Sequence, residues 1–152
     1  MEAEWKVTAA KMFNHANRFV EAYHTVLQPI CRETGLSPMA VDILMFVANH
    51  PEENTAGDIC RFRGLKPGIV SVHVDRLVTE GLLARQAEPG DRRKTRLVVA
   101  SKAEPLIAEG WELQKKFAER LLSGLEESQI EAFRSCLAAM DHNISEIRKH
   151  GV

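Results

Sequence analysis

Apolar positions recur along this chain with two periods, and the changes of period mark its elements. Over about residues 3–33, Met12, Ala16, Phe19, Tyr23, Val26 and Ile30 return at steps of three and four, one face of a single long helix running from Ala3 to Glu33. Pro29 removes a backbone donor near its end and predicts a kinked last turn. Gly35 suits the position just past the C-terminus. Ser37-Pro38 then restarts a helix, with Ser as cap and Pro in the first turn. It runs to about His50, where Pro51 stops it, and Ile43, Leu44, Phe46 and Val47 make it a buried element. Thr55 opens a short third helix, with Asp58 placed to complement its N-terminus. This helix ends near Phe62, and Gly64 supplies the turn. Pro67 begins a fourth helix that Gly81 closes. Two short helices joined by a tight Gly-containing turn form the helix-turn-helix pattern.

Alternation with period two follows, over Leu82–Ala87 and Thr95–Ala100. The intervening Glu88-Pro89-Gly90-Asp91 predicts a hairpin whose connection also carries Arg92, Arg93 and Lys94. A fifth helix spans about residues 101–122. Ser101 and Glu104 have capping-box spacing, although Pro105 points to a start at Glu104. Ser123-Gly124 breaks it. In the last helix, about residues 126–149, Ile130, Phe133, Leu137, Met140, Ile144 and Ile147 step by three and four in turn, a coiled-coil type seam. The fold class is mainly α with a small β-hairpin wing: a winged helix-turn-helix of six helices. The expected organisation is one domain over 1–152, with residues 36–100 as the winged lobe and 1–35 and 101–152 as dimerisation helices.

On the fourth helix, Val70, Val74, Leu77 and Val78 share one arc and face the core, leaving Gly68, Ile69, Val72, Asp75 and Arg76 opposite, with Ser71 and His73 on the flanks. A helix with small residues at its exposed N-terminal end fits a major groove. Gly68 and Ser71 permit close approach to phosphate, and Arg76 reaches a phosphate or a guanine edge. The Arg92-Arg93-Lys94 tip suits a narrow minor groove, where negative potential concentrates. Asp91 stands two residues before Arg93, placed to direct that side chain.

Charge sharpens this picture. The chain has a net charge of −1, yet residues 60–96 hold nine Lys or Arg against four acids, a local surplus of five. A basic middle in an acidic protein is a footprint for a polyanion. The longest apolar run, Ile43–Ala48, has six residues, far from the roughly 20 needed to span a bilayer. The opening Met1-Glu-Ala-Glu-Trp-Lys6 lacks the pattern of a secretory signal. A cytoplasmic protein without membrane contact is expected. Cys31, Cys60 and Cys136 form neither a disulfide framework nor a CxxC motif, and each reads as a small buried side chain. The long apolar faces of the first, fifth and sixth helices exceed what the small lobe can cover. A two-fold homodimer accounts for them, with half-sites about one turn of double-stranded DNA apart.

Several stretches together resemble the MarR (multiple antibiotic resistance regulator) family: Gln28-Pro29-Ile30 followed by Gly35-Leu36-Ser37; Val70 through Arg85 with its Glu-Gly-Leu-Leu-Ala-Arg ending; the wing run Asp91-Arg92-Arg93; and Leu125-Glu-Glu-Ser-Gln129. The resemblance covers nearly the whole chain. It implies a triangular dimer, one winged helix-turn-helix per subunit, pairing through the first, fifth and sixth helices, and a ligand cleft between the dimer and DNA-binding lobes. By position, Arg93 resembles the wing arginine that enters the minor groove and Asp91 its partner. Gly68, Ile69, Ser71, Val72 and Arg76 resemble the groove-facing positions. The departures carry information. Val72 stands where the family often has Arg, Ile69 where a small polar residue is usual, Lys66 at a cap position usually held by Ser or Thr, and Ala100 and Ala103 where Thr and Gly follow the second wing strand. Base reading is therefore expected to use thymine methyl groups and DNA shape. Affinity is expected to rest on phosphate contacts and to depend steeply on salt; Lys66, Arg92 and Lys94 complete the expected DNA-binding set.

The resemblance also implies a small aromatic or phenolic effector, for which His15, Arg18, Phe19, Met39, Val41 and Met45 are the candidate lining; the competing reading makes most of them core or interface. A thiol sensor would use Cys31, beside Arg32. A metal sensor lacks its ligands: six scattered histidines show no tight motif, and none lies between His73 and His142 to complete a zinc set with Cys31 and Asp42. No cofactor, metal site or catalytic residue is assigned, because GxSxG, P-loop and Rossmann glycine patterns are all missing from the sequence. A rival reading from another class is a winged-helix dimer that serves as a protein-interaction module, favoured by apolar Ile69 and Val72.

Overall fold

The computed structural model describes residues 4–152; the expected first helical residue, Ala3, lies outside them. The element order is α1 (Glu4–Val26), α2 (Gln28–Thr34), α3 (Pro38–Asn49), α4 (Ala56–Arg63), α5 (Pro67–Thr79), β1 (Leu83–Glu88), β2 (Asp91–Val99), a 3-10 turn (Ser101–Ala103), α6 (Glu104–Leu121) and α7 (Glu127–His150). The expected mainly helical fold with a hairpin wing is what the chain adopts. Two compact units divide it, one ending at Lys115 and the other running Lys116–Val152. No described helix is long and apolar enough to cross a membrane.

Among the described residues seven α-helices stand where six were expected, because the first one breaks. α1 stops at Val26, and Leu27 separates it from α2. Pro29 donates no N–H and its ring crowds the carbonyl four residues back. The helical ladder resumes with Cys31 N donating to Leu27 O at 3.2 Å. The break lets Leu27 and Ile30 become fully buried. α2 ends on Gly35, whose φ of 72° is the left-handed conformation that favours glycine, and its N–H closes on Cys31 O at 2.8 Å.

α3 is the floor of the core: every residue from Ala40 to Val47 is buried. Ser37 caps it, its hydroxyl accepting from Ala40 N at 3.2 Å. α5 and β2 pack on α3, bringing Val70, Val74, Leu77 and Leu97 into one core cluster that Ile59 of α4 and Leu83 of β1 complete. Full burial of a residue such as Leu77 is worth about 1.5–3 kcal/mol. At the other side of α3, Gly110 of α6 is pressed onto Met45. A Cβ built on Gly110 would lie 2.3 Å from the Met45 sulfur. No larger residue fits there while Met45 keeps its place.

The strands pair antiparallel, from Leu83 opposite Val99 to Ala87 opposite Thr95, with a bulge between Ala87 and Glu88. A third segment joins them: Thr55 bridges to Arg96, and Leu97 N donates to Asn54 O at 2.9 Å. Ser101 opens a 3-10 turn, and α6 begins at Glu104, the start that Pro105 indicates, where proline is harmless in the first turn.

The Gly110–Met45 contact yields a sign-changing test. Gly110→Ala in the wild-type background should cost about 1–3 kcal/mol through overpacking. In a Met45→Ala background it should instead stabilise by about 1 kcal/mol, the ordinary helical advantage of Ala over Gly. Urea unfolding of the four proteins of the cycle measures both signs.

Candidate nucleic-acid interface

α4 is locked at its start by a reciprocal cap. The Thr55 hydroxyl accepts from Asp58 N at 3.1 Å, and Thr55 N donates to Asp58 Oδ2 at 3.1 Å. Burial raises the Asp58 carboxyl, but the Thr55 hydroxyl and N–H, then Arg61 and Lys94, outweigh it and hold the group below its ordinary pKa. At the other end Gly64 (φ 64°) reverses the chain, and Leu65 N closes onto Cys60 O at 3.2 Å. Pro67 then opens α5 with its φ already helical. Lys66 is the N-cap residue, as the sequence indicates, and its side chain makes no capping hydrogen bond.

On α5, Val70, Val74 and Leu77 are buried and Val78 is half-buried, whereas Gly68, Ile69, Ser71, Val72, Asp75 and Arg76 are exposed. The expected division of the helix is therefore realised. Ile69 is 45% and Val72 66% exposed, high values for branched aliphatic residues on an ordered helix. Arg76 is held by Glu80, Nε to Oε1 at 3.0 Å.

The hairpin differs from expectation at its tip. Strand β2 begins at Asp91, so Arg92, Arg93 and Lys94 are strand residues rather than part of the connection, which shrinks to Pro89 and Gly90. Gly90 has φ 91°, a turn conformation open to glycine, which lets Glu88 face Asp91 directly. All four residues from Asp91 to Lys94 are exposed. Asp91 does not hold the Arg93 side chain; its Oδ1 accepts from the Arg93 backbone N–H at 2.9 Å. Arg85 of β1 pairs with Asp75 of α5, tying the hairpin to the outward flank of the helix. Arg96 clasps Glu88 across the hairpin, with Nη2 to Oε1 at 3.2 Å, and this arginine holds the Glu88 carboxyl below its usual range.

The sequence model of the MarR family matches residues 34–94, from the end of α2 to the exposed start of β2. Over that stretch the chain is similar to the MarR family. Its fold is similar to that of the transcriptional regulator PA3341 (TM-score 0.77, 23% identity, over 90% of this chain and 98% of the other). It is also similar to a putative MarR family transcriptional regulator from Listeria monocytogenes complexed with 26mer DNA (0.75, 14%, 92% and 95%). CouR from Rhodococcus jostii RHA1, bound to p-coumaroyl-CoA, shares it too (0.68, 20%, 85% and 87%). At these identities the likeness concerns the fold.

The effector candidates divide by burial. His15, Arg18 and Phe19 are exposed on α1 and Met39 is half-buried. Val41 and Met45 lie inside the core, 0% and 1% exposed. The cysteines divide likewise: Cys31 is buried and Cys60 half-buried, but Cys136, expected to be buried, is exposed on α7. Burial pushes the Cys31 thiol above its ordinary pKa, opposite to what a reactive thiolate requires. Among the described residues no group of three His, Cys, Asp or Glu is placed to hold an ion.

Sequence reasoning missed a buried polar cluster beside the helix-turn-helix. The Asp42 carboxylate of α3 is 4% exposed. It accepts from Arg63 Nε and Nη2 of α4 at 3.3 and 3.2 Å, while His24 Nε2 of α1 stands 3.7 Å from its other oxygen. The Arg63 guanidinium also lies 5.0 Å from the centre of the Phe46 ring. One signal was available: Asp42 interrupts an otherwise apolar run from Met39 to Ala48, and a buried carboxylate demands a cation.

The Asp58 cap predicts an acid limb of stability. A carboxyl whose folded pKa is lowered contributes stability above its unfolded value near 4, and loses it as pH falls through the folded value. Asp58→Asn should cost about 1 kcal/mol at pH 7. The gap to wild type should close as the solution is acidified, read by thermal unfolding from neutral pH downwards.

Proposed function

We propose that this chain is a DNA-binding transcriptional regulator that grips a palindromic double-stranded operator as a homodimer, represses from it, and is released by a small aromatic or phenolic effector. The observation that carries the reading is the pairing of two exposed features on one scaffold. The outward flank of α5 (Gly68, Ile69, Ser71, Val72, Arg76, with Lys66 at its cap) and the basic start of β2 (Asp91, Arg92, Arg93, Lys94) are joined through the Arg85–Asp75 pair. Helix in the major groove and basic strand end in the minor groove is the docking this arrangement permits. The listerial relative complexed with DNA supports it.

The homodimer reading is supported by apolar surface. α7 has no buried residue, and Phe133, Leu137, Ile144 and Ile147 stand 44–53% exposed along its seam. α1 exposes Met12, Phe13, Phe19 and Val20. Such surface is uncommon on a monomer and ordinary in a two-fold interface. Residues 1–35 and 101–152 are accordingly proposed as the dimerisation elements around the lobe 36–100. A dimer seated on promoter DNA represses by occupying it. For the effector, His15 and Arg18 supply polar or cationic groups on the same helix as Phe19, and Met39 adds a half-buried apolar group from α3, a set suited to an aromatic or phenolic ligand. The p-coumaroyl-CoA bound to CouR carries a phenolic group of this kind.

Mobility-shift titrations against the chain's own upstream DNA test the reading. The wild type should shift a discrete duplex with a steep salt dependence. The Arg92→Ala/Arg93→Ala variant should lose the complex at moderate salt, and its salt slope should fall by about one unit per phosphate contact removed. A variant that binds as tightly as wild type, or a wild type that shifts no duplex, would sink it. The second outcome would favour the protein-interaction module, for which exposed Ile69 and Val72 would be the docking residues.

A further inference from the structure

The exposed start of α5 is unusual in what it offers a base pair. Over its first two turns the outward positions are Pro67, Gly68, Ile69, Ser71 and Val72. Ser71 is the one hydrogen-bonding side chain among them, and a hydroxyl both donates and accepts, so it discriminates poorly between base edges. Further along, His73 is half-buried on the flank of the helix, and Asp75 and Arg76 are engaged, by Arg85 and Glu80. What remains prominent is a pair of branched aliphatic side chains three residues apart, Ile69 and Val72. The core does not need them, since Val70, Val74 and Leu77 fill the inward face.

We infer that Ile69 and Val72 are specificity-determining residues that read the C5-methyl groups of thymines on neighbouring base pairs. The inference rests on the DNA-binding reading above. In the major groove the thymine methyl is the one apolar group that a standard base pair presents. Residues three apart rise about 4.5 Å along the helix, near the roughly 3.4 Å between successive base pairs, so each side chain can meet its own pair. The surrounding charge argues for this occupant over a protein surface. Lys66, Arg92, Arg93 and Lys94 are all exposed on the same winged scaffold, and a polyanion satisfies them while the aliphatic pair is buried against its bases. Phosphate contacts then supply affinity, and methyl burial supplies the discrimination that an arginine in place of Val72 would otherwise obtain from guanine.

The test uses the full-length chain. Preferred duplexes are selected from a random pool, and each thymine of the selected site is replaced singly by deoxyuridine, which removes only the methyl group. At one or two adjacent positions per half-site the replacement should weaken binding about fourfold, the factor expected for losing one buried methyl. Val72→Ala and Ile69→Ala, both exposed and neutral for folding, should each bind thymine and deoxyuridine duplexes alike at one of those positions. Exchanging that A·T pair for G·C should weaken binding, and 5-methylcytosine in place of the cytosine should recover part of the loss. Selection of a duplex that tolerates deoxyuridine everywhere overturns the methyl reading and leaves the regulator reading standing. Retention of the full deoxyuridine penalty by both alanine variants also overturns it. Failure to select any duplex overturns both.

Discussion

The docking of one face of α5 onto α3 is the interaction on which the rest of the interface depends. Val70, Val74 and Leu77 insert into a floor built from Ala40 to Val47. A 13-residue helix cannot bury both faces against one layer, so seating those three residues forces Ile69 and Val72 outward. The left-handed turn at Gly64 and the preset φ of Pro67 deliver the helix to that seat without strain. The hairpin follows from the same docking. Leu83 and Leu97 close the core beside α5, and the Arg85–Asp75 pair joins strand to helix. An exposed ion pair contributes at most about 1 kcal/mol; its value here is alignment of two surface elements that the apolar core has already brought together.

Polar groups inside the first unit work differently. Asp42 sits in the middle of the apolar floor, where an unpaired carboxylate would be costly. Arg63, the last residue of α4, answers it from beside the Gly64 turn. The helix-turn-helix is thereby pinned to α3 at the point where the chain reverses. A second network joins more distant parts: Trp111 Nε1 donates to Asn49, Asn49 to Gln114, and Gln114 to the Tyr23 hydroxyl, at 2.8, 3.1 and 2.7 Å. α1, α3 and α6 are stitched by these side chains as well as by the apolar core they share. Replacing any one of the four strands a partner.

α7 presents the opposite economy. Its seam of Phe133, Leu137, Ile144 and Ile147 is about half exposed, and no residue of the helix is buried. In the proposed homodimer that seam is buried only on association, so folding of the second unit and pairing of two chains become a single equilibrium dependent on protein concentration.

Much of this was legible in the residues. Helix starts at Ser37, Thr55 and Pro67, the stops at Gly35 and Gly64, and the inward face of α5 all depend on residues within four or five positions of one another. Capping and periodicity are near-neighbour physics, and a linear pattern suffices to determine them. The tertiary structure alone decided the features that join distant segments. It split the first helix at Leu27 because two buried side chains reward the break that Pro29 permits. It drew Arg92, Arg93 and Lys94 into a strand, since the Glu88–Asp91 pairing extends the hairpin to its tip. It placed Arg63 against Asp42, set Gly110 onto Met45, and separated Val41 and Met45 from the exposed Phe19. Each of these depends on which surfaces meet after collapse, and a local pattern leaves that choice open because many pairings of faces satisfy it equally well.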